Sequence, residues 1–319
     1  MSESPIVPQR SPPAGGLSVS AISLSVHARW AGGSAVSPLL EPMLRRAREL
    51  GVTCFDLVDA PHPALAAEAL ARAFPSDDPQ LVVVLPDPEP DASAFRPRSP
   101  VDRRATGGAP SASVEELLER LGPHRRVLLE RPRPIHPRAL PTPRKATASI
   151  VGVAERIDAE RWRSDPGLRG LCAGRLSIVE PDLVEVAEGL PAVPQVALLA
   201  RDVWAAGALD GSLLDPTPLA GPGAAPVDVA SLEVRLGPVL RLGYLTRGRS
   251  RTLAQAAIQF VLRWPWVLSA VVPLPPPERL DSVLRAASSG TFTDEDLRGL
   301  GGAFGSSAPP SGPARPPLK

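Results

Sequence analysis

Apolar residues recur along this chain in two rhythms that take turns. "PLLEPMLRRAREL" puts Leu40, Met43, Leu44, Ala47 and Leu50 on one helical stripe, and Gly51 stops it. "VTCF" is then a short buried strand, and "ALAAEALARAF" returns to the helical period. "LVVVLP", from Leu81 to Pro86, is apolar on both faces, as strands of a parallel sheet are. Ser113 and Glu116 have the spacing of a capping box at a helix start, and Gly122 ends that helix. "RVLLE" (126–130), "ASIVGV" (148–153), "RLSIVEP" (175–181) and "QVALLA" (195–200) read as further strands. Thr252 and Gln255 open "LAQAAIQFVLRW", "VLSAVVP" is a strand, Pro277 suits the first turn of "PERLDSVLRAA", and "TDEDLRGL" is a last capped helix.

Seven or eight strand–helix units over roughly 285 residues predict a (β/α)8 TIM barrel, a fold of about 250 residues plus insertions. A doubly wound sheet needs a Gly-rich turn after its first strand, and none is present. The predicted organisation is a disordered tail over 1–16, a barrel over 17–302 with a long polar loop at 87–112, and a disordered tail over 303–319.

Composition narrows the partners. The net charge is +1, which gives no electrostatic argument for nucleic acid or an anionic membrane. No apolar run approaches a membrane span, and the polar, Pro-rich start "MSESPIVPQRSPPAGG" is no signal peptide, so a soluble cytoplasmic protein is expected. Cys54 and Cys172 have neither zinc-site nor disulfide spacing and read as buried thiols. Oligomeric state is not legible.

Five stretches, in order, resemble the aldo-keto reductase family: "ARELGVTCFDLVDA", "SVEELLERLG…VLLERP", "ASIVGVAE", "LLARDVWAAGALDG" and "RTLAQAAIQFVLRWPWVLSAVVPLPPPERLDSVLRA". The resemblance covers most of residues 17–300. It implies an NADP(H)-dependent carbonyl reductase on a TIM barrel, with a tyrosine as proton donor supported by a lysine, an aspartate and a histidine.

Carried over residue by residue, the resemblance leaves the chemistry incomplete. Asp56 holds the aspartate position. Pro61 stands where the tyrosine is expected and has no proton to give. Pro86 takes the lysine position, and the only lysines are Lys145 and Lys319. Glu130 takes the histidine position and reads as an ion pair with Arg131 or another arginine. His62 is the weak substitute acid. Tyr244, the only tyrosine, reads as a packing aromatic. Of the cofactor grip, Ala154 and Glu155 replace the polar pair at one strand end, and Glu180 takes a glutamine position. Three prolines, 275–277, remove backbone donors from the phosphate loop, and Arg279 alone is placed to meet a phosphate. Asp56, Asp59, His62 and Glu130 gathered at the mouth would be a further option, a metal or acid/base cluster, without any metal-ligand spacing.

The expectation is a degenerate, non-reducing barrel with a binding or regulatory role and a small-molecule ligand at its mouth. The alternative is an active oxidoreductase with a non-standard proton donor.

Overall fold

The computed structural model describes residues 6–12, 15–27, 30–32, 35–74, 78, 80–86, 112–122, 125–131, 148–190, 195–214 and 229–304. Eight strands close into a parallel barrel: β1 (Ile22–Ser25), β2 (Cys54–Asp56), β3 (Val82–Pro86), β4 (Arg126–Arg131), β5 (Ser149–Arg156), β6 (Arg169–Arg175), β7 (Gln195–Arg201) and β8 (Val267–Pro273). They neighbour one another in chain order, and β8 returns to β1. Among the described residues the helices are α1 (Leu40–Glu49), α2 (Pro63–Ala73), α3 (Val114–Leu121), α4 (Ala159–Ser164), α5 (Asp182–Glu188), α6 (Val229–Leu240), α7 (Leu253–Leu262), α8 (Pro277–Arg285) and α9 (Asp294–Phe304). The TIM barrel read from the sequence is the observed fold.

Two apolar layers follow from strand alternation. Cys54, Val82, Val84, Leu128, Ala154, Ala173, Ala197, Leu199 and Val271 fill the barrel interior. Phe55, Val83, Leu85, Val127 and Leu129 belong to the outer layer, with helix residues such as Leu44, Leu70, Leu117 and Ile258. Both faces are buried, so these strands are nearly continuous in apolar character.

The caps predicted from sequence form. Ser113 Oγ accepts from the Glu116 N–H at 3.1 Å, and Gly122 ends α3 at φ 76°. Thr252 Oγ1 accepts from the Gln255 N–H at 3.2 Å while Gln255 Oε1 accepts from the Thr252 N–H at 2.8 Å. Thr252→Ala is expected to lower stability by about 1 kcal/mol, read by urea denaturation at an unchanged m-value.

Two expectations are corrected. The strand predicted at 175–181 lies earlier, at Arg169–Arg175, because "GLCAG" pairs with β7 along its whole length, Arg169 with Gln195 through Arg175 with Arg201. Glu180 therefore lies in the loop beyond β6. Part of the N-terminal tail is also structured: Gln9–Arg10 pair antiparallel with Val19–Ser20. Arg10 donates to the carbonyls of Val267 at 2.5 Å and Leu262 at 2.8 Å, and Val7 is fully buried. This hairpin covers the start of β8, the end of the barrel opposite the strand C-termini. Residues 1–5, most of the predicted polar loop (87–111) and the end of the C-terminal tail (305–319) lie outside the described residues.

Candidate functional site

Ionisable groups gather at the C-terminal ends of the strands, the face on which TIM-barrel sites are built. The alternation that points Cys54, Leu128, Ala154 and Leu199 inward brings Asp56, Glu130, Arg156 and Arg201 inward two residues later. Each is thus the uppermost interior position of its strand.

Arg201 is the hub. It reaches from β7 to Asp56 on β2, with Nη2 at 2.5 Å from Oδ2 and Nη1 at 3.2 Å from Oδ1. Its Nε donates to Glu130 Oε2 at 2.6 Å. The second Glu130 oxygen accepts from Arg156 Nε at 2.9 Å and Nη2 at 2.6 Å. Asp56 and Glu130 side chains are wholly buried and Arg201 is nearly so, whereas Asp59, 3.4 Å from Arg201 Nη1, is 73% exposed and adds little. Asp56 Oδ1 also accepts from the Val58 N–H at 3.1 Å, which ties the β2–α2 turn to the cluster.

Burial pushes the Asp56 carboxyl up to about 6, with Glu130 adding to the rise and the Arg201 guanidinium opposing it. Burial alone would lower the arginine, but the carboxylates around Arg201 hold its proton more tightly than usual. In this buried ion-pair network each oxygen of Asp56 and Glu130 is bonded to a guanidinium, the condition under which such networks persist in an interior.

The other expected site residues fall around this hub. Pro86 ends β3 directly beside Glu130 in register, where a missing N–H interrupts no further ladder bond. Pro61 is half-buried in the turn between β2 and α2, and half-buried His62 precedes α2 without capping it. Glu130 pairs with Arg156 and Arg201, two arginines distant in sequence; the reading of Glu130 as one half of an ion pair holds, with different partners from Arg131. Asp56, Asp59 and Glu130 do converge, but on a guanidinium; among the described residues no three His, Cys, Asp or Glu side chains are grouped to hold a metal. Lys145 lies outside the described residues.

Tyr244 is remote from the hub. It sits in a 3-10 segment (Arg241–Leu245), donates to the Asp296 carbonyl at 3.0 Å and packs so closely on α9 that a Cβ on Gly299 would lie 2.4 Å from its ring. Burial pushes its phenol up to about 12. Arg279 donates to the Asp210 carbonyl at 2.9 Å and lies 3.8 Å from its carboxylate, so α8 is joined to the β7–α6 loop.

That loop is strained. Asp202, Ala205 and Ala206 have φ of 55°, 50° and 52°, a region costing a non-glycine residue about 1 kcal/mol or more. Gly207 continues it at φ 89°, where a Cβ would lie 2.4 Å from Ser212 Oγ. Asp202 holds the turn: Oδ1 accepts from the Ala206 N–H at 2.5 Å and Oδ2 from Arg175 Nη2 at 2.6 Å.

Nothing in the sequence singles out Arg201 and Arg156 by type, since each is one arginine among many. The signal available was parity: each closes a strand at a position that alternation turns into the barrel, where a lone charge is prohibitive and an opposite charge must be found.

No family model matches the chain, and none of the curated proteins is similar to it. Solved structures are. Glycerol dehydrogenase AKR11B4 from Gluconobacter oxydans is 16% identical, covering 97% of this chain and 99% of its own, with a TM-score of 0.59. Aldo-keto reductase AKR11C1 from Bacillus halodurans in its holo form is 12% identical over 96% and 99%, with a TM-score of 0.56. Its apo form is 13% identical over the same shares, at 0.57. At these identities the likeness is one of architecture, and along nearly its whole length this chain has the barrel fold of those aldo-keto reductase structures.

Proposed function

We propose that this chain is an aldo-keto reductase-like barrel that has lost hydride-transfer chemistry and acts by binding a small molecule at its mouth, in a binding or regulatory role. The observation that carries this reading is the Asp56–Arg201–Glu130–Arg156 network. Carbonyl reduction needs a proton donor beside the carbonyl oxygen and space for the carbonyl. Arg201 fills the uppermost interior layer, and a guanidinium held this tightly by carboxylates gives up no proton at neutral pH. Pro61 and Pro86 have no side-chain proton. His62, the remaining candidate, has no hydrogen bond to Asp56, Glu130 or Arg201.

The residues do not fit an NADP dinucleotide. A phosphate at the start of α8 needs free N–H groups, but Pro275, Pro276 and Pro277 have none, the Arg279 N–H bonds the Pro276 carbonyl at 3.0 Å, and Glu278 puts a carboxylate in the first turn. Arg279 itself is engaged by Asp210. At the end of β5 the Ala154 side chain is packed in the barrel interior and Arg156 is bound to Glu130.

The test is NADPH consumption against a panel of aldehydes and ketones. The expected rate is background, unchanged in His62→Ala. Turnover above background that His62→Ala abolishes would establish the opposing reading, an active oxidoreductase with His62 as acid.

A further inference from the structure

Arg156 differs from its neighbour at the mouth in how it is spent. Arg201 uses all three nitrogens on Asp56, Asp59 and Glu130. Arg156 uses only its Nε and Nη2 edge, both on one oxygen of Glu130. Its Nη1 has no partner among the described residues, and its side chain is 34% exposed beside a wholly buried Glu130. A buried carboxylate thus fixes one edge of the guanidinium and leaves the other unbonded on a partly exposed side chain, a pre-ordered donor pair for a planar oxyanion.

The surroundings select among anions. Arg175 stands on the neighbouring strand, two residues beyond Ala173, the register partner of Arg156; that is about 7 Å along and about 5 Å across. It is held by Asp202 at 2.6 Å and Glu180 at 3.4 Å, so its charge is already matched. Asp56 and Glu130 likewise match Arg201 and Arg156, and the exposed Asp59 adds a further negative charge. The carboxylates Asp56, Asp59, Glu130, Glu180 and Asp202 outnumber the guanidiniums of Arg156, Arg175 and Arg201, so each ligand charge is repelled by the surroundings, a doubly charged anion more than a singly charged one, and the local attraction comes from the Arg156 edge alone. Pro86 beside Glu130, and Val58, which packs on the interior cluster, supply an apolar lip.

We infer that the barrel mouth binds a small monocarboxylate with a short apolar body, its carboxylate on the free edge of Arg156. This rests on the reading of the mouth as a ligand site without reductase chemistry. The two fail separately: NADPH-dependent reduction of butyraldehyde would refute that reading and leave carboxylate binding standing.

The experiment is calorimetric titration of the full chain with butyrate, its neutral isostere butyramide and inorganic phosphate, at neutral pH and low salt without NADPH. Saturable binding of butyrate, with butyramide and phosphate at least about tenfold weaker, is expected. Arg156→Gln should weaken butyrate by about tenfold or more, and Arg175→Gln, at an exposed position, by no more than about threefold. Equal binding of butyramide or phosphate, absence of saturation by butyrate, or unchanged affinity in a folded Arg156→Gln protein would overturn the inference. The comparison of the three probes on the unmodified chain needs no variant to fold.

Discussion

Arg201→Met is expected to be among the most damaging single substitutions in this chain, lowering stability by about 3–5 kcal/mol. Methionine keeps the volume and removes the cation. Asp56 and Glu130, both wholly buried, then face each other without a shared counter-ion, and removing one partner of a buried ionic network costs that much. For a chain of this size the melting temperature should fall by roughly 5–15 °C. The diagnostic is the second substitution: adding Asp56→Asn should restore part of the loss, because it removes a charge that Arg201 no longer compensates. A double-mutant cycle from urea denaturation reads the coupling. Additive losses would mean that Asp56 and Arg201 do not act on one another.

The second large effect is on the pH dependence of stability, through Asp56. Its carboxyl titrates near 6 in the folded chain and near 3.8 when unfolded. A raised carboxyl means that the folded state binds the proton more tightly, so between about pH 4 and 6 this group makes stability fall as pH rises. Across that window the loss is on the order of a few kcal/mol. Above 6 Asp56 is ionised in both states and the cost is complete; below 4 it is protonated in both and the cost is absent. Asp56→Asn should remove this downward slope. The measurement is the urea midpoint of both proteins from pH 4 to pH 7.5; parallel curves would show that Asp56 titrates normally.

Legibility in the sequence followed the physics of each element. Helices were readable where an apolar stripe met a side-chain cap, as at Thr252–Gln255 and Ser113–Glu116. Strands were readable where both faces are apolar, as in "LVVVLP". The error at 175–181 came from the reverse case: β6 carries Gly170, Ala173 and Gly174 where a strand normally carries branched residues, while the more apolar "LSIV" lies in the loop beyond. Asp56 and Glu130 were placed at the mouth by resemblance alone. The residues that bind them are not legible as partners, because a cation that enters from β7 is separated from Asp56 by 145 positions and its one local mark, an inward parity at the strand end, does not name what it pairs with. Only a barrel closed in chain order brings those strand ends face to face. Pro61 and Pro86 are legible as residues without a side-chain proton; the arginine that spans the layer beside them is not.

The loss of cofactor grip is the claim on which the functional reading turns, and NADPH fluorescence during titration of the full chain tests it most directly. No saturable change in the nicotinamide emission is predicted, for the unmodified chain or for Arg279→Ala. Tight, saturable binding that Arg279→Ala weakens would contradict it and place a dinucleotide at the start of α8.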